Sequence, residues 1–166
     1  IWDLGIHIKE NHPIPVLATA PRMGKTCLLL RMPEMIKPLL QDTKLLSVFI
    51  TYHNNLGIHA KDFENSSAAF AWRLLYRYFI FKRGDNTVPT FGEFLSSLPQ
   101  NWKELRIESA LSCITSTLDQ SKKWAIFIGV DEFQRLIREK NNQPLQDLVQ
   151  SLRSVYVAST PIPFFF

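Results

Sequence analysis

Cysteine is nearly missing from this chain: Cys27 and Cys113 are the only two. That is too few for a disulfide framework and fits a reducing compartment. No apolar run approaches the roughly 20 residues needed to cross a bilayer, and the longest, Trp124 to Val130, has the length of a buried strand. No basic stretch followed by an apolar one marks a secretory leader, so an intracellular protein without a membrane partner is expected. Neither sign of charge dominates. Lys and Arg number 19 against 15 Asp and Glu, a formal net charge of +4. So mild and dispersed an excess describes an ordinary solvated surface and gives little support to a nucleic-acid partner. Internal repeats and low-complexity linkers are absent as well.

What is present is ordinary globular composition, 46% apolar and 20% charged. It excludes a disordered tail or a collagen-like rod. A length of 166 residues suits one domain with a real core. The chain starts at Ile1 and ends on three phenylalanines after Pro163. Terminal apolar groups of that kind need cover, which reads as a domain excised from a longer protein whose other domains would be its partners.

Along the chain, Ile14 to Ala20 is a short apolar run bounded by breakers, the pattern of a buried strand. Lys25 to Met32 predicts a helix disturbed or ended near Pro33, with Pro38 a second breaker. Leu45 to Tyr52 predicts a second strand, ended by the loop His53-Asn54-Asn55-Leu56-Gly57. Ser66 to Phe81 predicts a helix capped by Ser66 or Ser67 and stopped by Gly84-Asp85-Asn86. Further helices are expected over Phe91 to Leu98, Glu104 to Gln120, Phe133 to Lys140 and Pro144 to Arg153. Trp124 to Val130 is continuously apolar, as suits a strand buried on both faces of a parallel sheet. A last strand is expected from Val155 to about Ser159. This alternation points to an α/β domain with a parallel sheet and flanking helices.

Chemistry concentrates in Thr19-Ala20-Pro21-Arg22-Met23-Gly24-Lys25-Thr26. The phosphate-binding loop pattern is Gly, four variable residues, Gly, Lys and Ser or Thr, set between a strand and a helix. Here the second half is intact and Thr19 replaces the first Gly. Gly24 lets successive N–H groups face one anion, at the positive end of the helix that follows. Lys25 would reach the β and γ phosphates, and the Thr26 hydroxyl would ligate Mg²⁺. Cys27, in the same first turn, completes the expected nucleotide-binding stretch; with no His–Asp partner nearby in sequence, it reads as packing rather than as a nucleophile. A Gly-Lys-Ser/Thr triplet arises by accident in roughly one in ten chains of this length. Its placement between strand and helix makes it more informative than the triplet alone.

The apolar strand before Asp131-Glu132 is the second element. Carboxylates at the C-terminal tip of a parallel strand sit where open α/β sheets bind ligands. Asp131 would hold the Mg²⁺ shell, usually through water. Glu132 would orient and deprotonate the water that attacks the γ-phosphate. Acids opening the next helix are the ordinary explanation of such a pair; together with Gly24-Lys25-Thr26 it becomes the weaker one.

A phosphate loop followed by an apolar strand ending Asp-Glu resembles the P-loop NTPases with a catalytic glutamate, the group containing AAA+ and STAND ATPases. Adding Pro15 to Thr19 and Ser47 to Asn55, the chain is similar to the NTPase domain of Crinkler effectors and kinetoplastid retrotransposon-hot-spot proteins. The resemblance implies a P-loop core of strand order 5-1-4-3-2. Val155 to Ser159 would be strand four, with Ser159 or Thr160 at its tip as a γ-phosphate sensor, and strand five would lie past Phe166. It also implies ATP with Mg²⁺, admits a homo-oligomer, and places some members in the nucleus rather than the cytoplasm.

Other candidates are weaker. His7, His12, His53 and His59 show no metal-ligand spacing and read as surface or loop residues. Arg73 and Arg77 share a helix face and read as solvated, with contact to nucleic acid or a neighbouring subunit as the alternative. The aromatics from Phe70 to Phe81 run all round that helix, which points to burial or a partner surface rather than base stacking. Three functions follow: an Mg²⁺-dependent NTPase driving a conformational change, a nucleotide-binding switch with little turnover, and a nucleic-acid-handling domain.

Overall fold

The computed structural model of the chain describes residues 24–53, 56–81, 88–137, 141–157 and 164–165. Three parallel strands form its sheet: β1 (Lys44–Thr51), β2 (Trp124–Asp131) and β3 (Phe164–Phe165), in the order β1-β2-β3. Helices α1 (Lys25–Ile36), α2 (Ala60–Glu64), α3 (Ser66–Leu75), α4 (Phe91–Ser96), α5 (Ile107–Ser116) and α6 (Gln143–Val157) accompany it. The expected strand over Ile14 to Ala20 lies outside the described residues.

The sheet follows from its side chains. In β1, Leu46, Val48 and Ile50 are buried and the residues between them are half-buried, because successive side chains point to opposite faces. Register sets Leu46 beside Ile126, Val48 beside Ile128 and Ile50 beside Val130. Onto that face pack Phe70, Ala71 and Leu74 of α3, Ile107, Ala110, Leu111 and Ile114 of α5, and Leu148, Leu152 and Val155 of α6, forming the main core. Residues Ala125 to Gly129 of β2 are all buried, as a strand between two parallel neighbours should be.

The other face carries Ser47, Phe49 and Thr51 beside Phe127, Gly129 and Asp131, and α1 lies against it. A Cβ added at Gly129 would stand 2.8 Å from Phe49 Cδ1 and 3.1 Å from both Leu29 Cγ and Phe127 Cε1. The absence of a side chain there is what admits α1 and the Phe49 ring to the strand. Gly129→Ala is expected to lose about 1–3 kcal/mol by overpacking. Gly92, in α4 with nothing within 4 Å of its added Cβ, should gain about 0.5–1 kcal/mol on the same change. Urea denaturation of the two variants checks the contrast.

Several expectations need correction. Pro33 does not end α1, which runs to Ile36. A proline this deep in a helix removes its own N–H bond, yet the Pro33 carbonyl still accepts from the Lys37 N–H. Pro38 instead opens a 3₁₀ turn over Lys37–Leu40. The cap of α3 is Asn65, whose Oδ1 accepts from the Ala68 N–H at 3.0 Å, rather than Ser66 or Ser67. After Leu75 the helix continues as a π turn over Tyr76–Ile80; Gly84-Asp85-Asn86 lies outside the described residues.

Helix α4 ends at Ser96 rather than Leu98; its start is fixed by a capping box in which Thr90 and Glu93 bond each other's backbone N–H groups. Helix α5 is shorter than expected at both ends. Trp102–Glu104 is a separate 3₁₀ turn and Leu105 is extended. At the far end the Asp119 carboxylate accepts from the Ser121 N–H at 3.0 Å, turning the chain. Helix α2, capped by His59, was not expected, so His59 is a capping residue rather than a plain loop residue.

Where a helix from Phe133 to Lys140 is expected, Phe133–Leu136 is a single 3₁₀ turn with Ile137 extended after it, and residues 138–140 lie outside the described residues. The expected strand at Val155 is helix: Leu145, Leu148, Leu152 and Val155 recur at helical spacing, and that face is buried on the core. Strand character appears instead at the terminal phenylalanines, Phe164 pairing with Ile126 and Phe165 with Phe127. Ser159 and Thr160 lie outside the described residues and precede β3 in the chain, so they do not follow its C-terminal end.

Candidate functional site

Two segments far apart in sequence meet at the C-terminal edge of the sheet. Gly24 opens α1 with φ 76° and ψ 17°, left-handed backbone that favours glycine. Space is no constraint, since an added Cβ would touch nothing within 4 Å. Gly24 has no side chain to cap the helix and its first turn holds no acidic residue. The N–H groups of that turn carry the positive end of the helix dipole, and the turn itself holds no carboxylate to compete for them. Lys25 is half-buried; Thr26 and Cys27 are exposed.

Across from this turn, β2 ends at Asp131. Its Oδ2 accepts from the Thr26 hydroxyl at 2.8 Å, and its Oδ1 accepts from the Glu132 N–H at 3.0 Å. Both carboxylate oxygens are thus aimed, one at α1 and one at the turn after the strand. Glu132 itself has φ 59° and ψ 24°, a left-handed conformation uncommon for a residue with a side chain. Its Oε2 accepts from Gln134 Nε2 at 2.9 Å and Arg135 Nε at 3.2 Å. Glu132 therefore caps a single 3₁₀ turn, bonded to it through both its carbonyl and its side chain, rather than opening an α-helix.

These residues line a cleft of about 410 Å³ between α1 and the edge of β1. Phe49, Thr51 and His53 come to it from β1 and the turn beyond; Arg77 and Phe81 come from the π turn and its end. Thr26, Asp131 and Glu132 share this cleft, so the expected metal-binding and base residues are brought together. Thr19, Ala20, Pro21, Arg22 and Met23 lie outside the described residues, as do His7 and His12.

One expectation is reversed. Arg73 is not solvated: its relative exposure is 0%. Its Nε donates to Asp62 Oδ1 at 3.1 Å and its terminal NH2 nitrogen to Asp62 Oδ2 at 2.6 Å. The remaining N–H groups go to the carbonyls of Thr51, Leu56 and Gly57. The guanidinium plane lies 4.4 Å from the Tyr52 ring centroid and 4.3 Å from that of Phe91. All five guanidinium donors are then used, and the stretch that leads from β1 past His53 is tied to α3. Burial beside this pair pushes the Tyr52 hydroxyl well above the usual tyrosine range, the nearby Arg73 charge opposing only in part.

Sequence reasoning missed this pair because its members lie on different helices. It also passed over Gly129, for which a signal existed: a glycine inside an otherwise apolar strand marks a close approach.

The Thr26 hydroxyl and the Asp131 carboxylate are both hard oxygen donors of the kind Mg²⁺ prefers. They are too few to enclose an ion, which suits a metal that keeps several waters and shares itself with phosphates. Among the described residues no group of three or more His, Cys, Asp and Glu side chains is placed to hold a metal by itself. Cys27 and Cys113 are both exposed and free. Among the described residues no helix is long and apolar enough to cross a membrane. No family model, curated protein or solved structure matches the chain.

Proposed function

We propose that this chain binds a nucleoside triphosphate, ATP as the expected case, together with Mg²⁺ and hydrolyses the β–γ phosphoanhydride bond, driving a conformational change in a larger protein. The observation that carries the reading is the 2.8 Å hydrogen bond from the Thr26 hydroxyl to Asp131. A hydroxyl directly after Gly-Lys and a carboxylate at a strand tip, 105 residues apart, have converged where the sequence reading needs two magnesium-side oxygens. The strand order supports it too. If β1, β2 and β3 are strands two, three and four, their adjacency agrees with the 4-3-2 portion of the order that P-loop NTPases of this group have.

In this reading Thr26 and Asp131 hold the metal, which when bound neutralises charge on the β and γ phosphates. Lys25 and the N–H groups opening α1 grip the phosphate tail. Glu132 accepts a proton from the attacking water as its oxygen bonds to the γ-phosphorus and the bridge to the β-phosphate breaks, leaving the diphosphate and inorganic phosphate.

A second reading, a nucleotide-binding switch with little turnover, is favoured by the contacts of Glu132. Its carboxylate already accepts from Arg135 and Gln134, so those contacts must be given up before it can bind an attacking water.

Thr26→Ala and Asp131→Asn test the magnesium assignment. In wild type, ATP should bind more tightly with Mg²⁺ than with EDTA. Each variant should shrink that ratio toward one, while binding in EDTA stays close to wild type. Full magnesium dependence in both variants would remove the assignment.

A further inference from the structure

Arg77 is one turn beyond the buried Arg73 and is placed quite differently. It lies in the π turn Tyr76–Ile80, a loosened helical form found mostly as single turns and often at functional sites. There its side chain reaches the edge of β1 and lines the same cleft as Thr26, Asp131 and Glu132. The guanidinium lies 4.2 Å from the Phe81 ring centroid, and ring stacking of this kind fixes its plane while leaving its N–H edge to face a ligand. Among the described residues the ion pairs leave Arg77 without a carboxylate partner. Burial pushes its guanidinium below the usual arginine range, opposed only by Tyr76.

A half-buried cation that forms no ion pair, although Asp131 and Glu132 line the same cleft, is costly to maintain by itself. It becomes favourable when an anion enters, and a guanidinium edge matches phosphate oxygens in a bidentate manner. The other end of the cleft offers a hydroxyl and a carboxylate, donors for a cation rather than for an anion. A ligand satisfying both ends carries a divalent cation and an anionic chain. We infer that Arg77 binds the phosphate tail of the ligand, from the wall of the cleft opposite α1. This rests on the nucleotide reading of the site and adds a contact that the phosphate loop does not supply.

The test is calorimetric titration of Mg·ATP and of Mg·tripolyphosphate, which lacks base and sugar, into wild type, Arg77→Gln, Arg77→Ala and Lys25→Ala. Thermal melting controls for folding. Arg77→Gln keeps part of the stem on Phe81. It should retain the wild-type melting temperature within a few degrees yet bind both ligands roughly 10- to 100-fold more weakly. The salt dependence of binding should flatten alongside. Wild-type affinity for both ligands in folded Arg77→Gln and Arg77→Ala would overturn the role of Arg77, reducing it to packing on Phe81. Loss of binding in Lys25→Ala in the same series would leave the nucleotide reading standing. Failure of wild type to bind either ligand would overturn both.

Discussion

Replacing Arg73 by leucine is expected to cost about 3–5 kcal/mol of folding stability, because it leaves a buried carboxylate unpaired. The partner is Asp62, with both side chains at 0% exposure, so water cannot replace the lost charge. Three carbonyls, those of Thr51, Leu56 and Gly57, lose their donor at the same time. For a protein of this size the loss corresponds to a fall in melting temperature of about 6–20 °C. Arg73→Lys should recover little, since an ammonium cannot reproduce the fork that spans Asp62 and the loop. Replacing Asp62 and Arg73 together by apolar residues should recover only part, because the carbonyls stay unpaired. Lys103, paired with Glu64 across a surface where both are about half exposed, is the contrast: Lys103→Ala should cost less than about 1 kcal/mol. Thermal melts and urea curves decide. A loss under about 1 kcal/mol in Arg73→Leu would mean that the pair does not organise the loop beyond β1.

The second large effect concerns turnover. Glu132→Gln is expected to lower the steady-state ATPase rate by about 10²–10⁴-fold, the range for removing a general base, with Mg·ATP affinity within about twofold of wild type. Glutamine keeps the shape and still accepts from Arg135 Nε through its carbonyl oxygen, but it cannot take a proton. Single-turnover hydrolysis and equilibrium binding, measured on the same preparations, separate the two quantities. Normal hydrolysis by the variant would remove Glu132 as the base. Tight binding by wild type with no turnover would select the switch reading, in which the contacts from Arg135 and Gln134 hold the carboxylate away from its task.

Parts of this architecture were legible before any coordinates. The β-branched and aromatic residues of β1 and the continuous apolar run of β2 are local signals, and each located its strand to within a residue. Asp131 is singled out by the sequence because it ends such a run. Other parts depend on partners that a linear reading does not see. Val155 is β-branched and followed by Tyr and Val, a local pattern for a strand. What decides is that Leu145, Leu148 and Leu152 set a helical face which Val155 completes on the core. The backbone pairing of Phe164 and Phe165 with Ile126 and Phe127 joins segments nearly forty residues apart, which a local reading does not see. Arg73 and Arg77, four residues apart on one helix, looked alike. Only the placement of Asp62 under one of them, and of a cleft beside the other, separates a buried, ion-paired arginine from one that lines a cleft.

Nucleotide binding by this chain depends most directly on whether the turn opened by Gly24 and Lys25 grips phosphate although Thr19 replaces the loop's first glycine. Calorimetric titration of Mg·ATP into folded wild type and Lys25→Ala measures this. Saturable one-to-one binding by wild type, lost in Lys25→Ala with an unchanged melting temperature, is the predicted result. Absence of binding by folded wild type, or equal binding by both proteins, would contradict it.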